Sequence, residues 1–408
     1  MHVNRRLFVI FSLVATFAVA IEGRQTFRSG VDVIEIQAQV VGRDGSVVPE
    51  LTAQDFAVTI NGKPHALLSV DRVRFNSAAI GAASSASVSS PPESLSAAAV
   101  GQPPLNQVFV LAIDALTFSP SASPAIAKAA TGFVQALPDS ALIGLYTFPL
   151  GPRLEPTRDH RTIARALLDV SGQLLPQPAG TYNLRASELI DYSSDPAMRE
   201  QILRFHCGTD YRTCPELLDQ EVWTTIASLE AQARASLGML DDLVIRMGRL
   251  PGRKVLVLVS EGVTLADRPG GRPDIGDLPR KIGQDAARSN TMVYALFLDH
   301  STMERYSASA SSGLKQHDNL ERDVDAAYRW LSQFTGSAGG ALMKVLVGEG
   351  DSSYARIVRE TAGAYVLRVQ ATDADMTGKP LAIRVKVHRQ RVTVRSRQWA
   401  VLPARPKQ

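Results

Sequence analysis

"VFVLAIDALTFSPSASPAIAKAATGF", Val108 to Phe133, decides how this chain folds. Six apolar residues, Val108 to Ile113, run into a single carboxylate, Asp114, and a serine-rich turn then leads into a helical pattern. An apolar run without alternation predicts a strand covered on both faces. Ser123 is expected to cap the helix and Pro124 fits the first helical position. Ile126, Ala129, Ala130, Phe133, Val134 and Leu137 form one apolar stripe at helical spacing. Asp114 therefore stands at the carboxyl end of a buried strand, where open α/β sheets place their ligands. It either holds a cation or accepts main-chain N–H bonds in the turn.

Further along the chain the same rhythm returns. "ALIGLYTF", "VLVLV" and "MVYALFL" are continuous apolar runs, and helical stripes separate them. Ile163, Ala166, Leu167 and Val170 form one stripe. Val222, Ile226, Leu229, Ala233, Leu237, Leu240, Val244 and Met247 form a longer one, whose roughly 27 residues would extend about 40 Å. Strand and helix in alternation predict an α/β domain over residues 105–350, a doubly wound, mostly parallel sheet.

On either side the periodicity changes to two. Ile34, Ile36, Ala38 and Val40 alternate with polar residues, as do Phe56, Val58 and Ile60, and Asn61-Gly62 is a strong hairpin signal. This predicts an N-terminal β module over 31–75. Residues 76–104, rich in Ser, Ala, Gly and Pro with Glu93 as the lone charge, read as a flexible tether. After a helix, the segment 351–402 alternates Ile383, Val385 and Val387 with Arg384, Lys386 and His388, read here as a solvated sheet edge guarded by charge. The first 20 residues, "MHVNRR" followed by the apolar "LFVIFSLVATFAVA", are expected to be a signal peptide cleaved after Ala20, giving a secreted or periplasmic protein without a later membrane span.

Composition narrows the partners. With 45% hydrophobic and 21% charged residues the chain is globular, and a net charge of +4 over 408 residues points to no nucleic acid. The two cysteines, Cys207 and Cys214, read as a local disulfide in an oxidising compartment. A zinc site with His206 is the rival, but it offers only three ligands.

Taken in order, "GRDGSVVPELTAQDFAVTINGKPH", "VFVLAID", "LPGRKVLVLVSEG" and "YVLRV…IRVKVHRQRVTVRSR" resemble the secreted, acidobacterial type of von Willebrand factor type A-related proteins. The likeness runs from about Val31 to Val401. It implies an α/β type A domain flanked by β segments, and binding of proteins or other macromolecules, often through a metal-ion-dependent adhesion site. In metal-binding type A domains the first strand ends in Asp-x-Ser-x-Ser, and a threonine and an aspartate from later loops complete the oxygen shell that magnesium requires. Here Leu116 and Phe118 hold the serine positions, and Thr117 and Ser119 stand one residue out of register. Thr181 fits the threonine and Glu261 replaces the aspartate. The resemblance therefore implies a degenerate site of Asp114, Thr117, Ser119, Thr181 and Glu261, with at most weak magnesium or calcium binding. Two carboxylates converging there would repel unless a cation, an arginine or a proton intervenes.

No Gly-x-Ser-x-Gly, His-Glu-x-x-His, phosphate-loop or dinucleotide-binding pattern occurs, and His160 beside Asp159 reads as a helix start rather than part of a triad. The expectation is a secreted, non-enzymatic binding or adhesion-type protein contacting an unknown protein or cell-envelope macromolecule. The alternatives are an architectural cell-envelope protein or, more remotely, an extracellular hydrolase.

Overall fold

The computed structural model describes residues 32–75, 107–174, 180–210, 212–299, 316–346 and 350–404. The expected signal peptide and the tether of 76–104 lie outside these residues.

At the centre is a six-stranded sheet in the order β10-β9-β8-β5-β6-β7. Its strands are β5 (Gln107–Asp114), β6 (Leu142–Phe148), β7 (Arg153–Thr157), β8 (Arg253–Ser260), β9 (Thr291–Asp299) and β10 (Ala341–Leu346). All pair in parallel except β7, which runs antiparallel to β6. This is the doubly wound α/β class read from the apolar runs. Every residue of β5 and β8 is buried, because helices cover both faces.

On one face lie α1 (Ser123–Ala136) and α2 (His160–Ala166); Phe133 and Ile163 share their core with Phe109, Leu145 and Val257. On the other lie α5 (Cys214–Met247), α6 (Leu278–Arg288) and α7 (Gln316–Ala338), contributing Leu240, Ile282 and Trp330 to a second core. Ser123 is the first residue of α1 rather than its cap; its hydroxyl accepts the Gly172 N–H at 2.8 Å.

Helix α5 is 34 residues long, about 50 Å, and outruns the sheet. Its first half packs on two helices the apolar spacing did not announce, α3 (Ala186–Ser194) and α4 (Pro196–Cys207), around Leu189, Ile202, Leu218 and Val222. The Cys207–Cys214 disulfide, with Cα atoms 5.5 Å apart, joins α4 to α5 inside this cluster and leaves no thiol for a zinc site with His206.

The flanking β segments interleave into one sandwich. One sheet is β13-β1-β11-β4 and the other β14-β12-β2-β3. Its strands are β1 (Val33–Val41), β2 (Phe56–Ile60), β3 (Lys63–His65), β4 (Leu67–Arg74), β11 (Gly363–Gln370), β12 (Pro380–Val387), β13 (Thr393–Ser396) and β14 (Trp399–Val401). Inward residues of both sheets, including Ile36, Val58, Leu367 and Ile383, form its core. Asn61 and Gly62 both adopt positive φ in the β2–β3 turn, as a tight hairpin demands. Helix α8 (Asp351–Thr361), grouped by sequence with the C-terminal strands, instead covers the central sheet, where Tyr354 stacks on Phe133 at 5.0 Å. Strand β12 lies between β14 and β2, so Arg384 and Lys386 stand on an outward sheet face and not along a guarded edge.

The two units meet around Glu360, which is 0% exposed. Its carboxylate accepts from Arg395 of β13 at 2.7 Å, from Arg356 at 2.8 Å and from the Tyr294 hydroxyl of β9 at 3.1 Å. The same hydroxyl lies 2.9 Å from the side-chain amide oxygen of Gln39 in β1. Among the described residues, no helix is long and apolar enough to cross a membrane.

Candidate functional site

Strand β5 ends at Asp114, whose side chain turns inward and is 1% exposed. The next turn closes on itself: the Thr117 N–H and hydroxyl both donate to the Asp114 carbonyl, at 3.2 and 2.8 Å. The end of β8 arrives alongside, and the Glu261 N–H donates to the Thr117 hydroxyl at 3.0 Å. Ser260 places its hydroxyl 3.3 Å from Asp114 Oδ2 and 3.3 Å from Thr117 Oγ1, and accepts the Gly262 N–H at 2.9 Å. From above, α5 brings Ser236, whose hydroxyl donates to Asp114 Oδ2 at 2.5 Å, and Gln232, which donates to the Leu116 carbonyl at 3.0 Å.

These contacts form a closed network of hydroxyls and main-chain groups around one carboxylate. Asp114 Oδ1 is buried without a hydrogen-bond partner. Burial pushes the Asp114 pKa up from 3.8 to about 7, and the nearby Glu261 charge adds to the rise. Hydrogen bonds from Ser236, Ser260 and the Leu116 N–H oppose it without cancelling it. Burial thus favours a proton on Asp114, while the hydrogen bonds its carboxylate accepts favour the anion.

The donor set does not fit a tightly held divalent cation. Ser236 and Ser260 both occupy Asp114 Oδ2, and the three hydroxyls are engaged with one another, with Asp114 or with the main chain. Phe118 is buried in the apolar core and supplies no oxygen. Among the described residues no group of three or more His, Cys, Asp or Glu side chains is arranged to hold a metal.

Of the residues singled out by sequence, Asp114, Thr117 and Glu261 come together. Ser119 and Thr181 do not. The Ser119 hydroxyl pairs with Ser121 at 2.7 Å on the exposed side of the turn. Thr181 is exposed, and its N–H is held by Glu221 of α5 at 2.9 Å. Glu221 and Ser236 lie 15 residues apart on that helix, which puts Thr181 about 22 Å along α5 from the carboxylate. The length of α5 defeats the expectation: it carries the Thr181 loop away with the α3–α4 cluster. Ser236 and Ser260 were not foreseen. Ser236 falls on the apolar stripe of α5, between Ala233 and Leu240, and a polar residue on a buried stripe was the available signal. Asp159 caps α2 through the Thr162 N–H, and the His160 ring meets the Ala141 carbonyl at 2.9 Å, so no triad forms there.

Around the buried network the strand-end loops are firmly tied. The Gln173 N–H donates to the Ala115 carbonyl at 2.6 Å and its side-chain amide to the Leu150 carbonyl at 2.6 Å. Gly172 has to be glycine, because a Cβ there would lie 2.4 Å from the Phe118 carbonyl oxygen. Arg153 donates to the Pro149 carbonyl at 2.6 Å. On these braced loops Leu150 is 72% exposed, and Leu168, in the 3-10 turn (Leu167–Asp169) that follows α2, is 74% exposed. Across the rim, Arg272 grips buried Glu230 of α5 and holds the loop after β8.

No protein-family model matches the chain, and no curated protein matches it. Among solved structures it is similar to an aerotolerance-related membrane protein from Bacteroides fragilis with multiple mutations to serines. That match has 12% identity and a TM-score of 0.30, and covers 63% of this chain and 98% of that one. It is also similar to the human COPII-coat protein Sec24c, at 10% identity and a TM-score of 0.27, covering 73% of this chain and 44% of that one. The chain thus spans under half of that Sec24c chain. The fold class rests on strand order and pairing.

Proposed function

We propose that this chain is a non-enzymatic binding protein of the extracytoplasmic space, in keeping with the secreted type A-related proteins its sequence resembles. It contacts a macromolecular partner through the strand-end rim of the α/β unit, without a bridging metal. The observation that carries this reading is the pair of highly exposed leucines, Leu150 on a loop braced beside the closed Asp114 network and Leu168 in the helical turn that follows α2. Apolar side chains held out on rigid loops are a feature of recognition surfaces. The network supports the loops; it is not itself a ligand cage. The Cys207–Cys214 disulfide is compatible with an oxidising compartment.

The test is site-specific photo-crosslinking in the producing cell, with a benzophenone residue at position 150, 168 or, as control, Ile245 near the far end of α5. A discrete adduct at 150 and 168, absent at 245 and unchanged by chelators, supports the reading. No adduct at either rim position, with the protein folded, sinks it in favour of a purely architectural role. Loss of the adduct on chelation would restore the metal-bridged mode.

A further inference from the structure

Between the outward face of the β14-β12-β2-β3 sheet and the turn that ends α7 lies a groove of about 850 Å³. Its lining contains Arg384, Lys386, His388 and Arg395 and not one Asp or Glu. The strand alternation that sends Ile383 and Val385 into the sandwich core turns Arg384 and Lys386 out into this groove. Arg395 is already engaged by Glu360 and by the Gly340 carbonyl. Arg384 and Lys386 have no carboxylate partner among the described residues, and stand about 7 Å apart along the strand.

The floor between them is made of small side chains. Arg384 pairs across the sheet with Thr59, and Lys386 with Ala57. Ala382 pairs with Trp399, whose indole lines the same groove. A flat, shallow floor thus runs from an aromatic plate to two free cations.

We propose that this groove binds an acidic polysaccharide, a chain of uronate sugars. Trp399 stacks on the C–H face of one ring, and Arg384 and Lys386 take carboxylates of the neighbouring rings. Charge complementarity sets the sign of the ligand, because Arg384 and Lys386 face no acid among the described residues. The aromatic plate beside a floor of methyl groups suits a sugar ring, apolar on its faces and polar at its rim. An extended acidic peptide fits less well: the floor is a sheet face that presents side chains, so a peptide finds no strand edge to extend. Neither the tether nor the C-terminal tail of the chain matches. The tether of 76–104 carries the single charge of Glu93, and the tail beyond Ala404 is basic. The inference is independent of the strand-end rim.

Calorimetric titration of the full chain with tetragalacturonate, maltotetraose and a penta-glutamate peptide tests it. Tetragalacturonate should bind, with affinity falling as salt rises. Arg384→Gln and Lys386→Gln should each weaken it several-fold, and Trp399→Ala by about tenfold or more. Arg161→Gln, an equal charge change on α2, and Asp114→Asn at the rim should leave it unchanged. Because Trp399 also belongs to β14, the exchange Arg384→Glu at an exposed position supplies a readout that does not depend on that strand. Absent tetragalacturonate binding overturns the proposal, as does equal binding of maltotetraose or indifference to Arg384→Glu. Tighter binding of penta-glutamate would reassign the groove to an acidic peptide.

Discussion

Replacing Asp114 with Asn should stabilise this protein at neutral and higher pH, although it alters the most buried carboxylate of the sheet's rim. Burial raises the folded pKa of Asp114 from 3.8 to about 7. Between those values the native state keeps a proton that the unfolded chain has released, so unfolding becomes easier as pH rises. The contribution of this proton is fully present below 3.8, declines through the window and is gone above about 7. At 1.36 kcal/mol per pH unit, the gap between 3.8 and about 7 amounts to roughly 4 kcal/mol. Asn has the shape of the protonated acid and does not titrate. Urea unfolding of both proteins should therefore give similar stabilities near about pH 4. The difference in favour of Asn should grow with pH to an upper value of roughly 4 kcal/mol and then level off. The reasoning is refuted if the difference is flat across this range. It is equally refuted if Asp114→Asn is the less stable protein at about pH 8, since that would mean the carboxylate is held as an anion.

Ser236→Ala removes the closest donor to Asp114 and should cost about 1–3 kcal/mol in chemical unfolding, more above pH 7 than below it. Replacing Cys207 and Cys214 by Ser, which opens a loop of sequence separation 7, should cost about 2.5 kcal/mol, read as a lower unfolding midpoint. Glu360→Gln leaves Arg395 without its buried counter-charge and should cost about 3–5 kcal/mol. Its thermogram should split into separate transitions for sandwich and α/β unit, whereas a single unshifted transition would show that Glu360 is not what couples them.

How much of this was legible in the sequence depended on whether the cause was local. The runs that became β5, β8 and β9 could be read because burial on both faces leaves no polar positions. Strand β7, "RLEPT", could not: it is an edge strand with one partner, and its polar residues satisfy no periodic rule. At the rim, Asp114, Thr117 and Glu261 converge because adjacent parallel strands end at one level, which the apolar runs already implied. Thr181 was misplaced because nothing near it in the sequence reveals that α5 continues past the sheet. Ser236 and Ser260 meet Asp114 over separations of 122 and 146 residues, and only packing brings them there. The sandwich was legible as strands but not as one body, since β1 finds both its neighbours, β11 and β13, at the opposite end of the chain.

That interleaving has a consequence for how the protein comes into being. A strand emerging early from the ribosome has nothing to pair with until more than three hundred further residues, through β11, have been made. Until then β1 is a ribbon with one apolar face and two bare flanks, the kind of surface that seeks out other chains. The α/β unit, complete in itself between β4 and β11, is free to fold in the meantime and draw the two halves of the sandwich together. A nascent chain cut short before β11 would carry a finished α/β body and an orphaned ribbon, and aggregation should track the ribbon.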